Sequence, residues 1–574
     1  MLTGLRSCRD RQGGPALLFD TLEMKQPGRL SAVFNEAAMG VSSESRRREW
    51  IWMATFSVVA LLLPLVYVAV THHEWEDWFI TFRYSKNLVD GKGLVFNAGE
   101  RVHGFTSAIN VMLPAFFYWI TGKTGYPAAL NLYRAVSLIA YVLGGLLTLR
   151  LMCRDRGTDR FSLLIFLLLY TTEAKTIAFT MNGQECGFMV GFLSLAFAAS
   201  YSGLARLWWV AGLAWAGLLY TRPDSPIYIA AVAFAGLLFR KETLRQTAVG
   251  ITKAGALAAV LYLPWFVSMW VYYGTPVPHT VIAKSNDALY DLARLPMSTL
   301  QNYPLVVRRV FEPAYIQLGG GWPRWVEAYG FFCAVICTFY WMIPSSDRLG
   351  RMASLIFMLA AFYLALIAAG SFPYPWYFPS AMLFGTMVLS RFAVGLSRGS
   401  INRWSVLTAR IVQVAIVSGS LLLFGGTVWQ IRIQQREIED NQRKQVGLYL
   451  HEMMKPYEKA YMEPLGYIGY FSDAYIDDWP GLVSPRVVQL RRMRKAGDDV
   501  TIIPLLKPDW VVLRGPRWIR AAKLPQIRQR YKIVKVFDAR AKLREYPYIP
   551  GRGYLRFDAV LIVLHRKDAP AMPL

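Results

Sequence analysis

The sequence predicts a polytopic α-helical membrane protein with a separate C-terminal α/β domain. Of 574 residues, 54% are hydrophobic and only 18% charged, where soluble domains carry about 25% charged residues. Apolar runs long enough to cross a hydrocarbon core of about 30 Å recur along the chain. After Trp429 these runs stop, and short strand-like segments separated by Pro and Gly take their place.

The elements follow in order. Residues 1–45 read as a disordered cytoplasmic N-terminus. Ile51 to Val70 is too long for a cleaved signal core and lacks a small-residue cleavage site, so it reads as a signal anchor. Arg46, Arg47 and Arg48 hold its start in the cytoplasm. A polar stretch from His72 to Ser107 lies outside, and the short run Ala108 to Ile120 could skim the membrane surface. Further spans are expected at Leu130–Met152, Phe161–Ala178, Gly187–Tyr201, Leu207–Tyr220, Pro226–Phe239, Ile251–Tyr272, Ala328–Ile343, Ala353–Ala369, Trp376–Leu396 and Val406–Trp429. With the anchor this makes about eleven transmembrane helices in a module covering 46–429. The loops after residues 152, 239, 343 and 396 are short and basic, as cytoplasmic loops are. The expectation is a multi-pass protein of a bacterial plasma membrane, with a cytoplasmic N-terminus and an extracytoplasmic domain at 430–574.

In that domain Ile431 to Leu450 reads as a charged helix. Tyr467–Phe471, Trp510–Leu513, Ile533–Phe537 and Ala559–Leu564 read as strands. The run Arg491-Arg492-Met493-Arg494-Lys495 could attract anionic glycan or lipid headgroups, or be a solvated basic face. The net charge of +25 follows in part from this domain and in part from the cytoplasmic loops, so no nucleic-acid partner is expected. The five Cys form no disulfide framework and no CxxC pair.

On this topology five outer loops hold ionisable or aromatic groups near membrane depth, where such groups are costly and usually functional. They are His72-His73-Glu74-Trp75-Glu76-Asp77-Trp78, the segment Glu173 to Glu185, Arg222-Pro223-Asp224, Gly274 to Lys284, and Ser371 to Tyr377. Each has a plainer reading. Glu76 and Asp77 fit a solvated loop pair, Glu185 a favourable charge at a helix start, Arg222 and Asp224 a structural pair, and Lys284 a solvated cation. His72 and His73 lack the spacing of a metal site. No metal or other cofactor is required by these residues, although a divalent metal stays open. No glycine-rich phosphate loop or nucleotide pattern is present.

The stretch Glu76-Asp77-Trp78-Phe79-Ile80-Thr81-Phe82-Arg83-Tyr84, continuing through Asn87-Leu88, Gly91, Gly93, Val95-Phe96-Asn97, Gly99-Glu100-Arg101-Val102 and Gly104-Phe105-Thr106-Ser107, resembles the first outer loop of GT-C glycosyltransferases similar to the mycobacterial terminal arabinofuranosyltransferase AftB. Asn182-Gly183-Gln184-Glu185, Arg222-Pro223-Asp224, Tyr273-Gly274 through Lys284, and Glu463 to Val483 resemble later parts of the same family. Three positions depart from its pattern: Glu76 stands for an Asp, His103 for a Glu and His279 for an Asn.

The resemblance implies a GT-C-like fold and an inverting transfer of a sugar, arabinofuranose being one possibility, from a polyprenyl phosphate donor to a cell-envelope glycan or lipid acceptor. Such a reaction needs a general base at the acceptor hydroxyl and cations on the leaving phosphate. Asp77, with Glu76 beside it, is the candidate base, and mutual repulsion between adjacent carboxylates raises a pKa. Arg222 and Lys284 are the candidate phosphate ligands, ahead of Arg83 and Arg101. Glu185, Asp224, His279 and Tyr377 are candidates for binding sugar or acceptor, and Glu185 and Asp224 could instead hold Arg222 in place. Trp75, Trp78, Trp376 and Tyr377 could stack on sugar rings or form an interfacial belt. A transporter or flippase of lipid-linked sugars, or a non-catalytic glycan-binding membrane subunit, stands as the alternative.

Overall fold

The computed structural model describes residues 43–155, 158–285, 294–314, 320–344, 347–398, 402–493 and 499–568. Residues 1–42 of the expected disordered N-terminus, and Arg494 and Lys495 of the basic run, lie outside the described residues. The chain divides into one unit ending at Ile51, described only as the helical turns from Ser43, and a second, Trp52–Leu574, that holds everything below.

In chain order the helices are α1 (Ser43–Thr71), α2 (Glu76–Val89), α3 (Ile109–Ile120), α4 (Tyr126–Arg154), α5 (Arg160–Thr172), α6 (Ala174–Met181), α7 (Cys186–Ser202), α8 (Leu204–Thr221), α9 (Ser225–Leu238), α10 (Leu244–Tyr273), α11 (His279–Lys284), α12 (Leu295–Arg309), α13 (Trp325–Phe339), α14 (Arg348–Gly370), α15 (Pro379–Arg398) and α16 (Arg403–Ile433). Among the described residues seven are long and apolar enough to cross a membrane, or eight if the pair α5–α6, bent by 49° at Glu173, makes one span. The sequence reading of about eleven thus exceeds the full-length helices by three, 11 − 8. The difference falls on α7, α8 and α9, of 17, 18 and 14 residues. At 1.5 Å per residue, α7 and α9 reach only about 26 and 21 Å, short of the hydrocarbon thickness. Protein surrounds much of them. At the α4–α7 crossing, a Cβ on Gly144 would come within 2.9 Å of the Gly191 backbone, so only paired glycines allow that approach.

The basic loops do gather at one end of the bundle. Arg391 pairs with Asp155 at 2.6 Å and Asp347 at 3.1 Å. Arg348 donates to the carbonyls of Phe239 at 2.5 Å and Tyr201 at 2.8 Å. These contacts tie together the loops that charge counting placed on a common side.

The last helix runs on past residue 429. α16 continues through a π-helical stretch, Gln434–Arg443, into α17 (Lys444–Met453) without a break. The C-terminal part then adds β1 (Lys459–Met462), α18 (Gly466–Ser472), β2 (Tyr475–Asp478), α19 (Pro485–Met493), α20 (Ile503–Leu506), β3 (Trp510–Arg514), α21 (Gly515–Ala521), α22 (Pro525–Arg530), β4 (Tyr531–Asp538), α23 (Arg540–Arg544), α24 (Arg552–Phe557) and β5 (Val560–Arg566). The sheet order is β2-β1-β3-β5-β4. β1 runs parallel to β2 and β3, while β5 runs antiparallel to β3 and β4.

Tyr467–Phe471, expected as a strand, is the body of α18. Helical spacing puts Tyr467, Tyr470 and Phe471 on one face, all three against Phe79 of α2, with ring centroids at 4.3, 5.3 and 5.5 Å. The sheet residues Ala460, Met462, Ile476, Val512 and Val563 share a core with Ile80, Tyr84, Phe96 and Phe105 of the first loop. Arg83 is buried here and donates to the carbonyls of Gly469 at 2.6 Å and Ala474 at 2.7 Å, so it is a tie to the C-terminal domain. The C-terminal domain therefore packs directly on the segment that carries Asp77.

Candidate active site

At the end of the bundle away from the basic loops, a cavity of about 670 Å³ collects residues from all five loops singled out in the sequence. Its polar wall includes Asp77, Glu185, Arg222, Asp224, Lys284 and Tyr377. Tyr262, Trp265, Phe266 and Met269 of α10, with Leu366 and Ile367 of α14, give it an apolar wall drawn from membrane-crossing helices.

Asp77 stands in the first turn of α2 and is half-buried, its side chain facing the cavity. Its carboxylate accepts no hydrogen bond from the described residues. Burial raises its pKa to about 6, Lys284 opposes the rise, and Glu76 and Glu185 add to it.

Glu76, the other member of the expected pair, does not line the cavity. Its carboxylate accepts from the Gly466 N–H at 2.6 Å and pairs with Arg443 at 3.0 Å. Arg443 is itself buried and also pairs with Glu439 at 2.9 Å and Asp558 at 2.5 Å. The reason is geometric. Consecutive helical residues point about 100° apart, so two neighbours do not share a face. Glu76 fastens the start of α2 to the C-terminal domain, and that leaves Asp77 turned to the cavity. Gly466 is required at this joint, since a Cβ there would lie 1.9 Å from the Glu76 carbonyl oxygen.

Arg222 lies at the end of α8, where Pro223 prevents the helix from continuing. Its guanidinium donates to Asp224 at 2.8 Å and to Glu185 at 2.9 Å, and covers the Tyr377 ring at 4.3 Å. Tyr363 donates to Asp224 at 3.0 Å, and Asn110 donates to Glu185 at 2.6 Å while accepting from Tyr133. Gly183, at φ 99°, makes the turn that brings Glu185 to α2, and a Cβ there would strike Trp78 at 2.6 Å. With two carboxylates and one guanidinium, this buried group carries a formal charge of −1. Arg222 lines the cavity but is already paired, so it holds Glu185 and Asp224 in place.

Lys284 ends α11 and sits 4.5 Å from the Tyr374 ring centroid and 5.4 Å from that of Trp376. Among the described residues no carboxylate lies within salt-bridge distance of it. Burial works against its charge, but Tyr374, Tyr377 and Asp77 outweigh that and hold its pKa above the ordinary value. Of the two cations on the cavity wall, it is the one without a carboxylate partner.

His279 does not reach the cavity, and only its backbone is engaged there, donating to the His103 carbonyl at 2.8 Å. Trp75 and Trp78 are buried packing residues, the latter stacked on Phe82 at 5.4 Å. Arg101 covers the Tyr272 ring at 4.8 Å. The sequence reading gave no site role to Asn110, Tyr363, Thr280 or the apolar residues of α10. Only Asn110, a polar residue inside a short apolar run, left a visible signal.

Residues 430–555 match the family model described as Domain of unknown function (DUF8728). The chain is 30% identical over 263 residues to the terminal beta-(1->2)-arabinofuranosyltransferase of Mycobacterium tuberculosis, a match covering 41% of this chain and 39% of that protein. It therefore spans well under half the length of this curated relative. Among solved structures it is similar to ArnT from Cupriavidus metallidurans bound to undecaprenyl phosphate, with a TM-score of 0.51 and 12% identity over 91% of this chain and 99% of that one. It is also similar to the Archaeoglobus fulgidus oligosaccharyltransferase tethered with an acceptor peptide, with a TM-score of 0.51 and 13% identity over 84% of this chain and 72% of that one. The fold is the GT-C-like membrane fold with a small C-terminal sheet domain that the sequence predicted.

Proposed function

We propose that this chain is an inverting GT-C glycosyltransferase that moves a sugar, arabinofuranose in the first instance, from a polyprenyl phosphate to a cell-envelope glycan or lipid acceptor. The observation that carries the reading is a free carboxylate, Asp77, and a free cation, Lys284, on the wall of one cavity that is otherwise part polar and part apolar. The arabinofuranosyltransferase named above supports the sugar, and the ArnT complex with undecaprenyl phosphate supports the lipid carrier.

In this mechanism Asp77 takes the proton of the acceptor hydroxyl. The oxygen attacks the anomeric carbon from the face opposite the phosphate. The bond between that carbon and the phosphate oxygen breaks, and the phosphate leaves with its charge held against Lys284. The apolar wall from α10 and α14 receives the first isoprene units, so the phosphate stays at the membrane interface. Glu185 and Asp224, fixed by Arg222, face the sugar. No step is routed through a metal. The cavity end of the bundle faces the outside of a bacterial plasma membrane and the basic loops face the cytoplasm, as charge asymmetry requires.

The test is to incubate the purified full chain in lipid nanodiscs with a panel of polyprenyl phosphate sugars and a cell-envelope glycan acceptor. Product and released polyprenyl phosphate are then measured by mass spectrometry. Transfer from the arabinofuranosyl donor is expected. Absence of transfer from every donor, with the protein folded, overturns the proposal in favour of transport or glycan binding.

A further inference from the structure

Among the described residues, two buried polar side chains on the cavity wall hold an atom with no hydrogen-bond partner. His103 is 8% exposed, and its ring stacks on Tyr273 at 4.6 Å with 7° between planes and meets Phe105 edge-on at 4.7 Å. Among the described residues this ring makes no hydrogen bond, and Nδ1 is fully enclosed. Thr280 is 5% exposed and its enclosed Oγ1 is equally unpartnered. Both residues line the cavity. Buried polar atoms are paired in the great majority of cases, because an unmade hydrogen bond costs about 1–3 kcal/mol. These two, unlike the other unpartnered buried atoms, belong to residues on the cavity wall, where a ligand can supply the missing partners.

Their placement says which part of a ligand this is. The N–H of His279 donates to the His103 carbonyl at 2.8 Å, stitching the 103–107 loop to the first turn of α11. Burial lowers the His103 pKa to about 4, so at neutral pH its imidazole is uncharged, with one donor and one acceptor nitrogen. A neutral imidazole beside a hydroxyl suits an uncharged polyol and gives no charge to a phosphate. Thr280 precedes Lys284 by four residues, which puts the two on the same helical face with Cβ atoms about 6 Å apart. That is the reach from a phosphate to the hydroxyls of a sugar esterified to it.

We infer that His103 and Thr280 form the donor-sugar subsite, binding ring hydroxyls of the glycosyl group whose phosphate rests on Lys284. The inference builds on the proposed transfer from a polyprenyl phosphate sugar. It adds the residues that select the sugar, and it moves that role from His279, whose side chain points elsewhere, to His103.

The experiment compares wild type with His103→Phe, which keeps the stack on Tyr273, and Thr280→Val, which keeps the shape. Two readouts are taken: donor KM and kcat/KM with polyprenyl phosphate arabinofuranose, and the inhibition constant of polyprenyl phosphate that carries no sugar. Each substitution is expected to lower kcat/KM about five- to tenfold, the value of one neutral hydrogen bond, and to leave inhibition by the bare lipid phosphate within about twofold, since that probe makes no sugar contact. Donors lacking single ring hydroxyls, given to the unmodified protein, should lose a similar factor, and that arm does not depend on any variant folding. Unchanged kcat/KM in both variants, or an equal weakening of donor and bare lipid phosphate, overturns the subsite. If wild type transfers while the variants are unaffected, only this inference fails. If wild type transfers from no donor, the proposed function fails and takes the subsite with it.

Discussion

Replacing Asp77 by Asn should abolish most turnover without harming the fold. The side chain is close to isosteric, and the carboxylate it replaces accepts no hydrogen bond from the described residues, so no protein contact is lost. A positioned general base contributes about 10²–10⁴-fold, which at 1.36 kcal/mol per tenfold is about 3–5 kcal/mol of barrier. The expected result is a fall in kcat of that size, with donor KM changed only a few-fold. The pH dependence supplies a second readout. Burial has raised the Asp77 pKa to about 6, Lys284 pulling against the rise and Glu76 and Glu185 adding to it. The base works only when deprotonated, so wild-type kcat/KM should fall about tenfold per pH unit below pH 6 and level off above it. The variant should lack that inflection. The assay is initial-rate transfer in nanodiscs from pH 4.5 to about 8, with thermal unfolding as a control on folding. Turnover by Asp77→Asn within about threefold of wild type, or an acid limb that survives the substitution, would refute the assignment.

Glu76→Gln should act the other way: it breaks the ion pair with Arg443 at 3.0 Å, so stability in a detergent unfolding scan should drop by about 1–3 kcal/mol, while kcat falls far less than for Asp77→Asn. Lys284→Met removes the cation expected to hold the phosphate, so both donor KM and the inhibition constant of bare polyprenyl phosphate should rise about 10- to 100-fold, the value of a charged hydrogen bond. The same change takes away the charge that lowers the Asp77 pKa, so the acid inflection should move to higher pH. Gly466→Ala places a methyl 1.9 Å from the Glu76 carbonyl oxygen, and the resulting separation of α2 from α18 should show as loss of folded protein on size-exclusion chromatography.

Much of the architecture was legible because the forces behind it act on short stretches of sequence. Charge asymmetry grouped the loops, and the contacts of Arg391 and Arg348 join those it placed together. The same rule gathered the polar loops, and residues from all five line one cavity. α7, α8 and α9 are shorter than the other spans, yet Tyr201 and Phe239 sit with the basic loops while Glu185 and Arg222 line the cavity, the alternation that charge counting assigned them. Tyr467–Phe471 read as a strand because short aromatic runs are ambiguous, and its contacts with Phe79 decided for a helix. Within the site, adjacent sequence numbers hid opposite orientations. Glu76 and Asp77 looked like a pair, yet a helix turns one towards Arg443 and the other towards the cavity. Arg222 was readable either as a phosphate ligand or as paired with Asp224 and Glu185, and packing puts it in that pair. His103 stood out only as a departure from the family pattern and Thr280 only as a member of an outer loop, since an unpartnered polar atom is a property of packing and not of composition.

The most direct test of the central claim is the anomeric configuration of the product. Wild-type protein is given a polyprenyl phosphate arabinofuranose of known configuration and a glycan acceptor, and the new linkage is read by NMR alongside the released lipid phosphate. A single displacement with Asp77 as base and the phosphate leaving against Lys284 predicts inversion, with one polyprenyl phosphate released per linkage formed. Retained configuration, or linkage formation without release of the lipid phosphate, would contradict it.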